Sequence, residues 1–398
     1  MGSLRLILAI SVLLAHVPGL TTHLMTGGEV SVQCFYIISG FLISLILNEK
    51  YVGARDTRVF YSNRFLRIFP LYWMFLALAF LVGIAAYVIA HKGALAIWHD
   101  NWSRLSAKDA VFLVCSNLFL FGQDWTTFLR LGNTGLEWSS QFYLSEPGVY
   151  QFLFVPQGWS LGLELTFYLL APVIARQSSR AIGLIVAVSL LARIVAHTTG
   201  YGSDPWSYRF FPFEVSLFLI GALAYRLGKR IEGMALHRPL RAFAYGIIPA
   251  VILFPLYNSG LDDFFLPSRI FLYAYFVLAL PILFRLSKHL TWDRTAGDLS
   301  YPVYLCHLIP IQLLQGSSAL SDHPGVRALS AVVGTVILAA VATKYVEIPL
   351  DKYRQKRLHV HTRAISALPQ GRIVVIDGKH VIQYPERPEA AEEYRMSQ

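Results

Sequence analysis

Apolar positions run through this chain in long unbroken stretches instead of the narrow stripes of a soluble amphipathic helix. They fall at about 4–20, 30–47, 70–90, 159–175, 181–197, 211–227, 242–258, 267–286, 298–316 and 326–347. Each covers a hydrocarbon core of about 30 Å, or nearly does with tilt. The pattern predicts an all-α integral membrane fold with about ten transmembrane helices. An eleventh stretch, DAVFLVCSNLFLFG at 109–122, would rise only about 21 Å as a helix and leads into sequence rich in Trp, Phe and Tyr. If it crosses, the basic connections at 228–241 and 287–294 lie opposite the basic segment 50–67. If it is re-entrant or interfacial, all of these share one face with KYRQKR at 352–357, and the Lys-free turn LDDFF at 261–265 lies on the other. The positive-inside rule favours the second arrangement, with both termini cytoplasmic and residues 91–157 forming an aromatic lid on the outer face.

Composition agrees. Of 398 residues, 55% are hydrophobic and 15% charged, with a mean hydropathy of +0.50, which excludes an ordinary soluble protein. The net charge of +10 sits in short loops and accompanies no nucleic-acid motif, so it marks the cytoplasmic face and no nucleic-acid partner is expected. Cys34, Cys115 and Cys306 are scattered in apolar sequence and read as neither disulfides nor a zinc site, and no metal is expected. No small-residue cleavage site follows the run that begins at Leu4, so this run is expected to persist in the mature protein. Residues 1–350 form the transmembrane domain. Residues 351–398 form a cytosolic tail in which RIVVIDGKHVIQY at 372–384 reads as a β-hairpin turning at Asp377-Gly378.

Ionisable residues inside apolar runs carry the candidate chemistry, because each costs about 2.5 kcal/mol or more unless it faces a partner or water. In the first run His16 follows Arg5 by eleven residues, about 16 Å along a helix that leaves the cytoplasm, so it lies in the outer half of the membrane. Glu164, five residues into the run from Trp159, is expected at similar depth on a helix of opposite direction. A carboxylate beside an imidazole orients it as a general base, although a satisfied interhelical hydrogen bond explains a membrane histidine too. Arg64 and Arg67, three apart in SNRFLRIFPLYW, share a helix face and suit a polyphosphate; ordinary positive-inside arginines explain them as well. Pro70 is expected to open the following span. Ser39 and Gly40 in FYIISGFLIS permit either close helix contact or passage of a slender ligand. Tyr304 and His307 share a face of a late, Pro-bent span. Glu347 reads as a cap or salt-bridge residue at the end of the last span.

Six stretches in order, LRLILAISVLLAH, FYIISGFLIS, NRFLRIFPLYW, GWSLGLELTFYLLAP, SYPVYLCH and YVEIP, resemble acyltransferase family 3, whose members acylate sugars of O-antigens, exopolysaccharides and nodulation factors. The resemblance covers about residues 1–350. It implies a catalytic role for His16, with acyl-CoA, usually acetyl-CoA, as co-substrate entering from the cytoplasm of a bacterial inner membrane. Arg64 and Arg67 would then hold the CoA phosphates, Arg5 would lie near the donor path, and the pantetheine arm would thread past Ser39 and Gly40. Gly2 stands where family members often carry an acid. The expected reaction is transfer of an acyl group to a hydroxyl of a cell-envelope or exported glycan, directly or through an acyl-histidine, with Glu164 or a nearby hydroxyl orienting His16. Trp159, Ser160, Tyr304 and His307 are the expected acceptor-binding residues, Trp159 by stacking on a sugar face. The alternative is a proton-coupled secondary transporter, since buried His and Glu also make proton relays; no repeated halves accompany them.

Overall fold

The structure is a computed structural model that describes residues 1–20, 24–51, 56–256, 267–315, 323–366, 372–376 and 379–383. The chain divides into two compact units, Met1–Glu347 and Ile348–Gln398. The first contains α1 (Gly2–Ala15), α2 (Gly27–Glu49), α3 (Asp56–Ala90), α4 (Ala94–Asn101), α5 (Ala107–Phe119), a short hairpin of β1 (Leu129–Leu131) and β2 (Leu136–Trp138), α6 (Trp159–Ile174), α7 (Ser179–Thr198) and α8 (Phe211–Arg230). It continues with α9 (Arg238–Tyr245), α10 (Ile247–Ile252), α11 (Pro267–Ser287), α12 (Thr291–Cys306), α13 (Leu308–Gln315) and α14 (Pro324–Ala342), which runs into a π-turn at Thr343–Glu347. In the second unit, after α15 (Ile348–Ser366), β3 (Arg372–Ile376) and β4 (Lys379–Gln383) pair antiparallel from Arg372↔Gln383 to Ile376↔Lys379. Asp377 and Gly378 lie outside the described residues, as does LDDFF at 261–265.

This is a helical membrane protein. Among the described residues, six helices are long and apolar enough to cross a membrane: Gly27–Glu49, Asp56–Ala90, Ser179–Thr198, Phe211–Arg230, Pro267–Ser287 and Pro324–Arg357. The other apolar runs are shorter or broken. α1 has 14 residues, α6 and α12 have 16 each, and the run at 242–258 is divided among α9, α10 and a 3₁₀ turn at Phe254–Leu256. Outward positions on α3, α7 and α14, such as Val88, Leu191 and Leu329, are exposed and apolar, as lipid contact requires.

Pro70 does not open a span. It lies inside α3, which starts fourteen residues earlier at Asp56. The basic segment before it is helical, and the missing Pro N–H frees the Leu66 carbonyl without ending the helix. The arginines therefore share one rigid rod with the apolar run.

Three helix pairs fix the direction of the chain. α1 and α12 run parallel: Gly2 packs against Asp293 and Gly297 at one end, and His16 meets His307 at the other. The Asp293 carboxylate caps α1, accepting from the backbone N–H of Gly2 at 2.8 Å and of Ser3 at 2.9 Å. α2 and α8 also run parallel, with Gln33 bonded to Glu214 near their starts and Glu49 facing Lys229 near their ends. α2 and α6 are likewise parallel, since Ser39 donates to Glu164 and, farther along both, the Arg176 guanidinium donates to the Tyr51 carbonyl. Between α3 and α6 the chain folds into a layer with its own apolar centre of Leu113, Leu131, Val149 and Phe152. Its α5 is 13 residues long and opens on a reciprocal capping box between Ser106 and Asp109.

Candidate active site

Two polar clusters form along α1 and α12. At the far end of α1, His16 Nδ1 lies 2.8 Å from the Val12 carbonyl one turn back. A carbonyl only accepts, so Nδ1 carries the hydrogen and Nε2 of the neutral ring keeps its lone pair. The His16 side chain keeps solvent access, whereas His307 beneath it is fully buried. The two rings lie with centroids 4.9 Å apart. His307 repeats the arrangement: its Nδ1 is 2.7 Å from the Tyr304 carbonyl, and its buried Nε2 has no hydrogen-bond partner among the described residues.

Below His307, the Tyr304 and Ser160 hydroxyls lie 2.5 Å apart, and Tyr304 also donates to the Gln157 carbonyl at 3.0 Å. Gln157 in turn donates to the Leu305 carbonyl at 2.5 Å. Trp159 is buried, and the Arg209 guanidinium lies over its ring at 4.3 Å while Asp204 accepts from the same guanidinium at 2.7 Å. One face of the Trp159 ring is thus taken by Arg209 and is not open for stacking on a sugar. Arg209 is also the cation whose charge is felt at His16. Arg209 and Gln157 belong to this cluster and were not legible from sequence. Each sits in a polar connection that reads as an ordinary loop.

Nearer the start of α1 lies the second cluster. Arg67 pairs with Glu347. Arg5 lies in the combined field of Arg67, Glu347, Glu164 and Asp298. The Arg64 guanidinium sits 5.9 Å from the rings of both Phe60 and Tyr168, and its Nε is buried without a partner among the described residues. Among the described residues neither Arg5 nor Arg64 has a carboxylate in salt-bridge contact. Glu164 belongs here. One of its oxygens accepts from both the Ser39 and Tyr168 hydroxyls, so the expected pairing of Glu164 with His16 does not form, and Val12 orients the imidazole instead. α6 begins against the α3–α6 layer, with Gly162 close to the Leu120 carbonyl and Asp124.

Gly40 lies at a close helix crossing. A Cβ there would overlap the Phe218 backbone carbonyl, and one on Gly221 would overlap that of Ile37, so both glycines serve the close crossing of α2 and α8. That crossing is backed by a buried polar network missed in the sequence. Arg193 bonds Glu214 at 2.6 Å, Gln33 bonds Glu214 at 3.2 Å, and Tyr273 donates to Gln33. Its signal was the lone Glu214 in an apolar run. In the layer above α6, burial pushes the Asp124 carboxyl up to about 7 against the pull of backbone N–H donors from Gly122, Asp124 and Trp125.

The chain is similar to nodulation protein 10 of Rhizobium leguminosarum bv. viciae, 26% identical over 81% of this chain and 82% of that one. It is also similar to a protein of Acidianus two-tailed virus named provisionally as an acetyltransferase, 25% identical over 72% of this chain and 74% of the other. A protein of Staphylococcus aureus (strain COL) named provisionally as an O-acetyltransferase is 27% identical over 44% of this chain, and the match spans about a quarter of that relative's length, 24%. No solved structure matches. The model of the acyltransferase domain of family 3 matches residues 2–344, which hold both polar clusters apart from Glu347, and the chain belongs to that family.

Proposed function

We propose that this protein is an O-acetyltransferase that moves an acetyl group from cytosolic acetyl-CoA to a hydroxyl of a cell-envelope or exported glycan. The observation that carries the reading is the His16 tautomer: Nδ1 is committed to Val12, which leaves Nε2 as a base at one end of α1, while Arg5 and Arg64, two guanidiniums with no carboxylate in salt-bridge contact among the described residues, lie towards the other. The CoA phosphates bind the arginines, and the thioester reaches the histidine along α1 and α12. Nε2 takes the proton of the glycan hydroxyl as its oxygen attacks the thioester carbonyl. The C–O bond forms, the C–S bond breaks, and the departing CoA thiolate takes the proton from His16. His307 Nε2, an unpaired acceptor beside this base, receives a hydrogen bond from the bound acceptor.

The same reading has about ten crossings in a bacterial inner membrane, both termini cytoplasmic and residues 91–157 as an outer lid. The parallel course of α2 and α6 supports it. With α3 as the only crossing between them, the chain returns to the side on which α2 began, so α5 adds no net crossing. Single cysteines at Lys108 and Lys229, both exposed, test this in a cysteine-free background. A membrane-impermeant maleimide applied to intact cells should label the first and spare the second.

The function is tested by glycan mass analysis in cells lacking the protein. Loss of an acetyl-sized increment, restored by wild type and not by His16→Ala, is the expected result. Full rescue by the alanine variant removes His16 from the mechanism. A proton-coupled transporter would release no CoA from acetyl-CoA when purified in detergent with the glycan acceptor.

A further inference from the structure

At the corner where α3 turns into α4, two imidazoles converge on one carboxylate. His91 Nε2 lies 2.9 Å and His99 Nδ1 3.0 Å from the same oxygen, Asp100 Oδ1. The three donor atoms all lie within 4.8 Å of one another. The rings stand perpendicular with centroids 5.6 Å apart, and Tyr87 packs against both. His91 takes up a left-handed backbone at φ 49°, which non-glycine residues rarely adopt, to bring its ring round to α4.

We propose that His91, His99 and Asp100 form a zinc site that pins the end of α3 to α4. Two imidazole nitrogens and one carboxylate oxygen are the donor set of an open zinc centre, with water as the fourth ligand. Calcium and magnesium prefer oxygen ligands throughout. Around a tetrahedral ion with bonds of about 2.0–2.1 Å the donor atoms stand about 3.3 Å apart. The two N···O separations of 2.9 and 3.0 Å are already within a few tenths of an ångström of that spacing. The histidines are 52% and 65% exposed, so their rings are free to swing the remaining distance. The site is well apart from the polar clusters on α1 and α12 in sequence and shares no residue with them. Tyr87 and His99 also line an apolar groove of about 1100 Å³ with Trp73, Phe80, Trp98 and Phe154, and an ion there would hold the groove's wall.

The test uses full-length protein in detergent, carrying Cys115→Ser so that its exposed thiol cannot contribute zinc binding of its own. After chelator treatment and dialysis, zinc is titrated by calorimetry and the retained metal counted by mass spectrometry. One ion per chain, affinity reduced at least tenfold by His99→Gln and by Asp100→Asn, and a zinc-dependent rise in melting temperature lost in both variants are the expected results. All three ligands are exposed, so the variants should melt with wild type when chelator is present; a variant that does not is replaced by His91→Gln. No retained zinc in the parent protein, or equal binding after His91→Gln and His99→Gln are combined, overturns the proposal and leaves a hydrogen-bonded His–Asp–His cluster.

Discussion

The rings of His16 and His307 face each other at 4.9 Å, each with Nδ1 already bound to a carbonyl of its own helix. Two neutral imidazoles so arranged present two acceptors and no donor. Each Nε2 lone pair is met by a proton or by an O–H donor such as a ligand hydroxyl or water, and an unmet buried acceptor costs about 1–3 kcal/mol. The two rings are unequal, because His16 keeps solvent access and His307 has none. On the proposed mechanism, proton transfer falls to His16 and acceptor positioning to His307.

His16→Ala should therefore lower acetyl transfer by about 10²–10⁴-fold, the range of a lost general base. His307→Ala should act mainly on KM for the glycan, by about tenfold, and His307→Gln should recover part of it because a side-chain amide still accepts. Thiol release from acetyl-CoA measures both. An equal fall in kcat for the two alanine variants would make the histidines joint bases.

The arginines should separate by partner. Arg5 and Arg64 have no carboxylate in contact among the described residues, so Arg5→Ala and Arg64→Ala should raise KM for acetyl-CoA by tenfold or more, with melting temperature nearly unchanged. Arg67 is paired with Glu347, which is only 7% exposed. Arg67→Ala should raise KM and also lower the melting temperature, because it strands a buried carboxylate. Arg64→Ala that melts early with unaltered KM would remove it from the donor site.

Much of this was readable in the residues, and the misses have physical causes. The eleven-residue interval from Arg5 to His16 places a cation and an imidazole at opposite ends of one helix whatever surrounds it. Glu164 was misplaced because counting residues from the start of α6 assumes that the helix starts at the membrane surface. Leu120 and Asp124 pack against that start, so it is not a surface from which to count depth. Gly40 was ambiguous because a small residue serves a ligand path and a helix crossing alike, and only the Phe218 carbonyl against it reveals the crossing. Arg209 could not be found from sequence: its role depends on Trp159, which lies fifty residues away in the chain.

Gly40 offers a test of packing. Its hydrogen faces the Phe218 carbonyl, a backbone atom that cannot rotate away, and Gly221 faces Ile37 in the same way. Gly40→Ala should already lower the melting temperature in detergent, by an amount in the range of about 1–3 kcal/mol for overpacking, and Gly40→Val should prevent recovery of monodisperse protein. Gly183, where an added Cβ would meet nothing within 4 Å, is the control, and Gly183→Ala should melt with wild type. A Gly40→Ala protein as stable as wild type but with a raised KM for acetyl-CoA would place Gly40 on the donor path.

Asp124 gives the pH dependence of the layer above α6. Burial raises its carboxyl from 3.8 to about 7, so the folded layer favours the protonated form. Because the folded value lies above the unfolded one, the stabilisation is fully present below about pH 4, declines as pH rises towards 7, and stays absent above it; at about 1.36 kcal/mol per unit the full effect is at most about 4 kcal/mol. Asp124→Asn keeps an oxygen for the backbone donors and removes the charge. The variant should therefore melt higher than wild type at pH 8 and match it near pH 3.5, as followed by tryptophan fluorescence of the protein in detergent. Parallel melting curves for the two proteins between pH 3.5 and 8 would mean that Asp124 is already solvated in the folded layer, and that its burial under the start of α6 does not govern its charge.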